Sequence, residues 1–259
     1  MNDEIVHLAV ANRIATITLD SEPNRNALSS ALTAQLEDRL TTALSDDRAR
    51  LIVLTNTGTV FCSGADLKEL SAPGTGKGGA GPNRLVSILK TILSSPKPVI
   101  ARVAGPARAG GLGLVAACDM SVAVDSATFA FSEVRVGVIP AIISVVVLPK
   151  LGPTKGMLLF LTGETFDAAE AARIGLINAA VPAEQLDDRV GRLAESILKG
   201  APGAIAGSKR LVHEVPGMGV DEAFAFTSRL SAEYFASEEA RDGMAAFAQK
   251  RAPRWAEPA

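Results

Sequence analysis

The fold of this chain is decided by two stretches of sequence, Phe61-Cys62-Ser63-Gly64-Ala65-Asp66-Leu67 and Ala109-Gly110-Gly111-Leu112-Gly113-Leu114. Each stretch places glycine just before residues that suit a helix. A backbone N–H beside such a glycine has no side chain in front of it, so it can point at a ligand oxygen. Two such N–H groups that converge from separate loops would form an oxyanion hole.

A single carboxylate follows the second stretch, Glu133 within Phe131-Ser132-Glu133-Val134-Arg135. Oxyanion donors together with a carboxylate point to enolate chemistry, in which the carboxylate moves a proton. Apolar neighbours favour a raised pKa for Glu133, which suits that role. The alternative is a surface carboxylate paired with Arg135. For the glycines the alternative is close packing of helix on strand, but packing alone does not require the accompanying carboxylate.

The composition of the 259 residues argues against several classes of function. A formal net charge of -2 and an aromatic content of 4% provide neither a basic surface nor stacking platforms for nucleic acid. The most apolar run, 136–149, is too short to cross a bilayer, and the acidic N-terminal residues do not resemble a signal peptide. We therefore expect no membrane association. The two cysteines, Cys62 and Cys118, lie in apolar or glycine-rich segments, which favours reduced thiols and a cytoplasmic location.

Periodicity along the chain predicts strand pairs that alternate with helices, and thus an α/β fold. Residues 5–10 and 14–19 alternate apolar and polar around a turn, which predicts a β-hairpin. Ser29 or Ser30 can cap the helix that follows. The further strands are predicted over 51–55, 98–103, 120–124 and 127–131, and the further helices from Asn83, from the second glycine stretch, and over 221–236 and 238–250.

The glycine- and proline-rich segment 72–82 lies just after the first glycine stretch. Its composition predicts a flexible loop, placed where a mobile flap over a site is expected. Beyond residue 200 the pattern is helical only. We therefore predict a core with the site over 1–200 and a helical region over 201–259, available for packing on the core or on another subunit.

Other catalytic motifs fit the sequence poorly. Residues 111–116 match the dinucleotide fingerprint G-x-G-x-x-A, but that fingerprint needs a strand running straight into its first glycine, and the predicted strand ends near Gly105. A Ser-His-Asp triad needs an imidazole base, yet His7 and His213 accompany no plausible nucleophile. Cysteine and histidine do not recur at metal-ligand spacing, so no metal site is predicted.

These residues resemble the enoyl-CoA hydratase/isomerase (crotonase) family. The likeness covers nearly the whole chain and includes both glycine stretches, which together are specific to the family. The further matching stretches are Asn26-Ala27-Leu28, Ser132-Glu133 through Pro140, 161–164, 171–177 and 239–244.

The resemblance implies a crotonase-like spiral of repeated ββα units, with a C-terminal helical region that forms homotrimers, often paired into hexamers. It implies acyl-CoA thioester substrates and no separate cofactor, because coenzyme A is part of the substrate. Carried over by position, the N–H groups of Ala65 and Gly110 hold the thioester oxygen, and Glu133 is the catalytic carboxylate. The residues implied to contact bound CoA are Arg25, Ala27, Ser63, Asp66, Leu67 and, at a phosphate, Lys250. The alternatives are a helix cap for Asp66 and an exposed helix lysine for Lys250.

One position departs from the family pattern. Two-carboxylate hydratases carry a glutamate where this chain has Gly113, and their second glutamate matches Glu133. Hydration must activate water and protonate the α-carbon, and two carboxylates divide those tasks. With one carboxylate, either Glu133 handles both protons in turn or another group orients the water.

The stretch 133–144 resembles hydratases that act on branched or carboxylated enoyl-CoAs. We therefore predict an enoyl-CoA hydratase of acyl-CoA or fatty acid metabolism. A single-glutamate enoyl-CoA isomerase, which needs only one base, is the first alternative. A non-catalytic acyl-CoA binder is the second.

Overall fold

The computed structural model describes residues 4–71 and 80–256. The described residues form nine β-strands: β1 (Val6–Ala11), β2 (Ile14–Leu19), β3 (Leu51–Asn56), β4 (Val99–Val103), β5 (Ala107–Arg108), β6 (Met120–Val124), β7 (Thr128–Ala130), β8 (Phe166–Asp167) and β9 (Ala179–Val181). They also form ten α-helices: α1 (Ser30–Ser45), α2 (Leu67–Leu70), α3 (Ala80–Ser94), α4 (Gly110–Ala117), α5 (Ala141–Thr162), α6 (Ala168–Arg173), α7 (Leu186–Leu198), α8 (Pro202–Glu214), α9 (Val220–Phe235) and α10 (Glu238–Ala248).

The main sheet has six strands in the order β1-β2-β3-β4-β6-β9. The first two strands form the predicted antiparallel hairpin, in which Val6 pairs with Leu19. All the later pairings in this sheet are parallel. Every residue of the central strand β3 is buried, as expected for a parallel strand covered on both faces.

A second sheet has three short strands in the order β5-β7-β8. The chain runs through one strand of each sheet and then a helix, as β4-β5-α4 and again as β6-β7-α5. These are the predicted ββα units. Their repetition winds the chain into the crotonase-like spiral, so the predicted fold is confirmed.

Helix boundaries follow local capping signals. The Ser29 hydroxyl accepts from the N–H of Leu32 and so caps α1, as predicted. Helix α3 begins at Ala80, whereas the sequence indicated Asn83. The predicted flap over 72–82 is therefore helical from residue 80, and residues 72–79 lie outside the described part of the chain.

Polar contacts attach α8 and the C-terminal tail to the core. Lys209 on α8 donates to Asp119 (2.9 Å) and to the carbonyl of Ile92 (2.7 Å), and this ion pair is mostly buried. Arg13 and Arg50, which directly precede β2 and β3, donate to the carbonyl of Trp255 (2.6 and 3.2 Å). The C-terminal tail therefore lies at the edge of the main sheet where these strands begin. The boundary at residue 200 stays a prediction.

Helix α5 is the one candidate within the described residues that has the length and apolar composition of a membrane span. It is not a continuous helix, because Gly152 has φ 67° and ψ 173° between Pro149 and Pro153. Each of the two helical segments is shorter than the ~20 residues that a span requires. The expectation of no membrane association stays a prediction.

Candidate active site

Four segments that carry the predicted site residues run side by side in the same direction. Leu28 forms a parallel bridge with Ala65, and Cys62 forms one with Ala107. In the second sheet, Arg108 pairs with Ala130 in parallel register. Neighbouring parallel segments end at the same edge. The residues that follow them, around Ala65, Gly110 and Glu133, therefore gather there, and the structure brings the three predicted catalytic positions to one region.

The two predicted oxyanion donors have no acceptor within the protein. Among the described residues, no carbonyl or side chain accepts a hydrogen bond from the N–H of Ala65 or of Gly110. Ala65 is solvent-exposed, and Gly110 is the first residue of α4. The N-terminus of a helix carries partial positive charge, which favours an oxygen that gains negative charge. Both amides are therefore available to a ligand oxygen.

A strained turn aims the second of these amides. Ala109, the residue before α4, has φ 48° and ψ -122°, a conformation that a residue with a Cβ rarely adopts. Its own N–H donates to the carbonyl of Ala130 (3.1 Å), which ties the turn to β7. Such strain costs on the order of 1–3 kcal/mol and is held in place by the surrounding structure. The sequence reasoning missed this turn, because alanine gives no signal of positive φ.

Glycine allows the two loops to touch. Gly64 has φ +90°, and a Cβ added to it would lie 2.9 Å from the Cβ of Ala109. A Cβ added to Gly111 would lie 2.8 Å from the Cβ of Cys62. The glycines thus serve close packing as well, and that packing holds together the two loops that carry the free amides.

Glu133 lies in a short 3-10 helix, Ser132–Val136, that begins two residues after β7 ends. Its Oε2 is buried and has no hydrogen-bond partner. Burial raises the pKa of this carboxyl above its usual range, and a hydrogen bond from its own backbone N–H only partly opposes the shift. A buried carboxylate oxygen without a partner is costly, so it calls for an explanation beyond stability.

The alternative of a surface ion pair with Arg135 is wrong. Arg135 donates through Nε to the carbonyl of Gly163 (2.9 Å), and no ion pair joins it to Glu133. Two residues before Glu133, Phe131 is fully buried and packs against Phe160 and Phe166 at ring-centroid distances of 4.9 and 6.0 Å. Glu133 therefore follows a buried aromatic cluster in the chain, and Arg135 is not its counter-ion.

Gly113, where the chain departs from the pattern of two-carboxylate hydratases, is buried one turn after Gly110 on α4. A Cβ added there would collide with Cγ2 of Ile143 and lie 3.1 Å from its Cβ. Ile143 is itself 2% exposed. The space that a side chain at 113 would use is therefore filled by an apolar group from α5. Nothing in the sequence alone indicated that Ile143 is the residue opposite Gly113.

Four of the six predicted CoA-contact residues lie close to the candidate site along the chain segments that form it. Arg25, Ala27, Ser63 and Leu67 lie along the same segments as the free amides, since the N–H of Ser63 donates to the carbonyl of Arg25 (3.1 Å). Arg25 and Leu67 are exposed, whereas Ala27 is buried. The structure thus brings these four to the candidate site, and their contact with CoA stays a prediction.

Asp66 has a capping role. Its carboxylate accepts from Asn24 Nδ2 (2.7 Å) and from the N–H groups of Lys68 and Glu69 (3.0 and 3.1 Å) at the start of α2. These hydrogen bonds, first of all the one from Asn24, lower the pKa of Asp66. The structure therefore supports the helix-cap alternative, and the predicted CoA contact of Asp66 would have to be made alongside these bonds.

Lys250 lies apart from the other predicted residues. It is exposed just after α10, and no described contact joins it to the two glycine stretches or to Glu133. The tail that follows it packs where β2 and β3 begin, whereas the site lies beyond the end of β3. Within one chain, the structure does not bring Lys250 to the candidate site.

The sequence argument against the dinucleotide alternative rested on a wrong detail. A short strand, β5, does run into the glycines, where the sequence indicated none. The family comparison nevertheless decides against that alternative: the pattern of the enoyl-CoA hydratase/isomerase family matches residues 9–258.

Relatives match along almost the whole chain. The chain is 35% identical over 244 residues to enoyl-CoA hydratase EchA19 of Mycobacterium tuberculosis, covering 92% of this chain and 91% of that protein. It is 33% identical over 258 residues to carnitinyl-CoA dehydratase of Shigella flexneri, covering 97% and 98%. A crystal structure of enoyl-CoA hydratase from Mycobacterium smegmatis matches with a TM-score of 0.92 at 32% identity, covering 98% of this chain and all of that one (100%). The protein described here belongs to the enoyl-CoA hydratase/isomerase family.

Proposed function

We propose that this protein adds water to 2-enoyl-CoA thioesters, with Glu133 as the only catalytic carboxylate. The observation that carries the proposal is the buried, unpartnered Oε2 of Glu133 at the same edge as the free N–H groups of Ala65 and Gly110. A proton-transfer group and two donors for a developing oxyanion are what an enolate-like intermediate requires. Relatives named enoyl-CoA hydratase support the same reaction.

The proposed reaction uses one carboxylate twice. Glu133 takes a proton from water while the water oxygen bonds to the β-carbon, and the electron pair of the double bond moves onto the thioester oxygen. The N–H groups of Ala65 and Gly110 stabilise that oxygen, and removal of one such donor typically costs about 3 kcal/mol. As the enolate collapses, protonated Glu133 returns the proton to the α-carbon. The raised pKa of Glu133 suits both halves of this exchange.

A second candidate is enoyl-CoA isomerisation. The observation that favours it is the apolar Ile143 that occupies the space beside Gly113, because no second carboxylate can stand there to orient water. Isomerisation needs only one base, which removes a proton from one carbon and returns it to another. The same two amides would stabilise the dienolate formed in between.

A panel of 2-enoyl-CoA and 3-enoyl-CoA esters separates these reactions. We expect the 2-enoyl esters to gain the mass of one water, because hydration adds both of its fragments to the substrate. An isomerase would move the double bond of 3-enoyl esters with no mass change. Mass-resolved product analysis measures both outcomes at once. Binding of the esters without any turnover would instead indicate the non-catalytic acyl-CoA binder and contradict the proposal.

We also propose that the protein assembles as a homotrimer or a pair of trimers. Exposed apolar side chains continue from the 3-10 helix of Glu133 onto α5 and include Val138, Ile139, Val145 and Leu161. Others lie on the C-terminal helices, where Phe247 is 89% exposed. Where exposed apolar side chains form a patch, they typically mark a subunit contact. In such an assembly, Lys250 would contact a phosphate of the CoA bound to a neighbouring subunit.

The mass in solution tests this assembly. Light scattering coupled to size-exclusion chromatography is expected to give three or six times the chain mass. A Val145→Glu variant should shift the mass downward, since it places a charge in the apolar contact. The matched control is Lys68→Glu, a charge change at an exposed position on α2. A wild-type mass equal to one chain would contradict the proposal.

A further inference from the structure

Gly163 contacts both ends of the short helix that carries Glu133. It follows α5 with φ +58°, and its carbonyl accepts from Nε of Arg135 at 2.9 Å. A Cβ added to Gly163 would lie 3.1 Å from that Nε and 3.2 Å from the carbonyl oxygen of Phe131. Phe131 precedes Ser132–Val136, and Arg135 stands in its last turn. The end of α5 is therefore fitted against this helix.

The Arg135 contact is the only long-range hydrogen bond that joins this segment to another described residue. Among the described residues, the other hydrogen bonds of 132–136 are local, such as that from the N–H of Val138 to the carbonyl of Glu133 (3.1 Å). The Glu133 Oε2 has no hydrogen-bond partner, and the bond that the carboxylate does accept comes from the residue's own backbone N–H. The direction of the carboxylate therefore depends on how the 3-10 helix itself is held.

The position of the Arg135 guanidinium also keeps it from forming an ion pair with Glu133. The carbonyl of Gly163 lies at the C-terminal end of α5, where partial negative charge attracts a cation. Arg135 is held there although it is only two residues from Glu133. Without this acceptor the guanidinium would be free to pair with the carboxylate, which would then be tied to a cation.

We propose that Arg135 is a positioning residue for Glu133, which by its hydrogen bond to Gly163 fixes the 3-10 helix and leaves the carboxylate free and aimed at the acyl group. This inference rests on the proposed role of Glu133 in proton transfer. Arg135 itself touches no reacting atom. Its effect is therefore on the geometry of proton transfer and not on the binding of the ester.

The test compares Arg135→Met, Arg135→Gln and Arg135→Lys with the wild type. We expect the Met and Gln variants to lower kcat by about 10- to 100-fold, since misplacement by 1 Å can cost that much, with KM changed less than ~2-fold. Lysine can still donate to Gly163, so Arg135→Lys should recover most of kcat. The matched control is Arg39→Met, because Arg39 also donates through Nε to a carbonyl, that of Val6 (3.2 Å), away from the site.

Crystal structures of the wild type and of Arg135→Met give a readout that does not depend on turnover. The Glu133 carboxylate is expected to move by roughly 1 Å or more, or to turn toward another partner. If kcat of Arg135→Met equals that of Arg39→Met, or if the carboxylate stays in place, the positioning role is overturned while the proposed function stands. If the wild type turns over no ester yet the carboxylate moves, the proposed function fails and the positioning role stands. Failure of both Arg135→Met and Arg135→Gln to fold would make the residue structural and would also overturn the inference.

Discussion

Replacement of Glu133 by glutamine is expected to lower kcat for enoyl-CoA turnover by about 10²- to 10⁴-fold, the usual contribution of a general acid–base group. The amide cannot accept and return a proton, but it keeps the size of the carboxyl. The free amides of Ala65 and Gly110 are unchanged, so the variant should still bind the ester. The measurement is the rate of hydration and of isomerisation for each ester that the wild type converts. The matched control is Glu164→Gln, an exposed glutamate just after α5, which should keep full activity.

The pH dependence of activity follows from the same residue. Burial raises the pKa of Glu133, and the base must be ionised before it can take a proton. On the acid side, kcat/KM of the wild type should therefore rise with pH through this raised pKa, above the ~4.3 of an ordinary glutamate. An acid limb at or below the ordinary value would contradict the assignment of Glu133 as the base.

The stability of the variant gives a check that is independent of catalysis. Because the folded-state pKa of Glu133 is raised, the folded protein holds this proton more tightly than the unfolded chain does. Ionisation therefore costs folding free energy, a cost that is absent below the ordinary pKa and complete above the raised one. Glu133→Gln removes the cost, so its melting temperature relative to wild type should increase with pH through that window. A difference that stays constant between pH 4 and pH 8 would show that the carboxyl is not desolvated.

The parts of the site that the sequence predicted are those that depend on residue type and local pattern. Glycine at Gly64 and Gly110, with a single carboxylate downstream, was enough to predict two free amides and a proton-transfer group. In the structure, the Ala65 and Gly110 amides have no acceptor among the described residues, and the Oε2 of Glu133 is buried without a hydrogen-bond partner. Hairpin, capping and period signals likewise predicted most of the elements that build the spiral.

The parts that could not be predicted depend on contacts between residues distant along the chain. Arg135 is two residues from Glu133 in the same short helix, yet its partner is Gly163, 28 residues further on. Ala109 adopts positive φ in a loop whose Ala109 N–H donates to the carbonyl of Ala130, a contact that no local signal predicts. The filling of the space beside Gly113 by Ile143 is a matter of how α4 packs on α5. Sequence periodicity indicates that two helices are buried, but it does not say which residues meet.

Gly113→Glu, taken alone, is expected to destabilise the protein and not to create a better hydratase. Two-carboxylate hydratases carry a glutamate at this position. The structure places Ile143 where the new side chain must start, with its Cβ 3.1 Å from the Cβ that would be added. Overpacking costs about 1–3 kcal/mol, and a buried carboxyl without a partner costs more. For a chain of this size the melting temperature should fall by roughly 10 °C.

Replacing Ile143 by a smaller residue should make room for a glutamate at position 113. Ile143→Ala deletes the Cγ2 that collides with the new side chain but leaves a cavity, so on its own it should cost about 2–5 kcal/mol of stability. In Gly113→Glu/Ile143→Ala the glutamate can occupy that cavity. We expect the double variant to be more stable than the sum of the two single effects by about 1–3 kcal/mol, as for other residues in direct contact.

The comparison that isolates the second carboxylate is the double variant against Ile143→Ala and against Gly113→Gln/Ile143→Ala, which has the same bulk without the acid. Hydration of a short 2-enoyl-CoA ester should be about 10-fold faster in the glutamate variant than in its glutamine counterpart. The reason is that one carboxylate can then activate water while Glu133 handles the α-carbon proton. Equal rates in the glutamate and glutamine variants would mean that Glu133 already performs both transfers without loss. An unchanged melting temperature for Gly113→Glu alone would show that Ile143 does not hold this space.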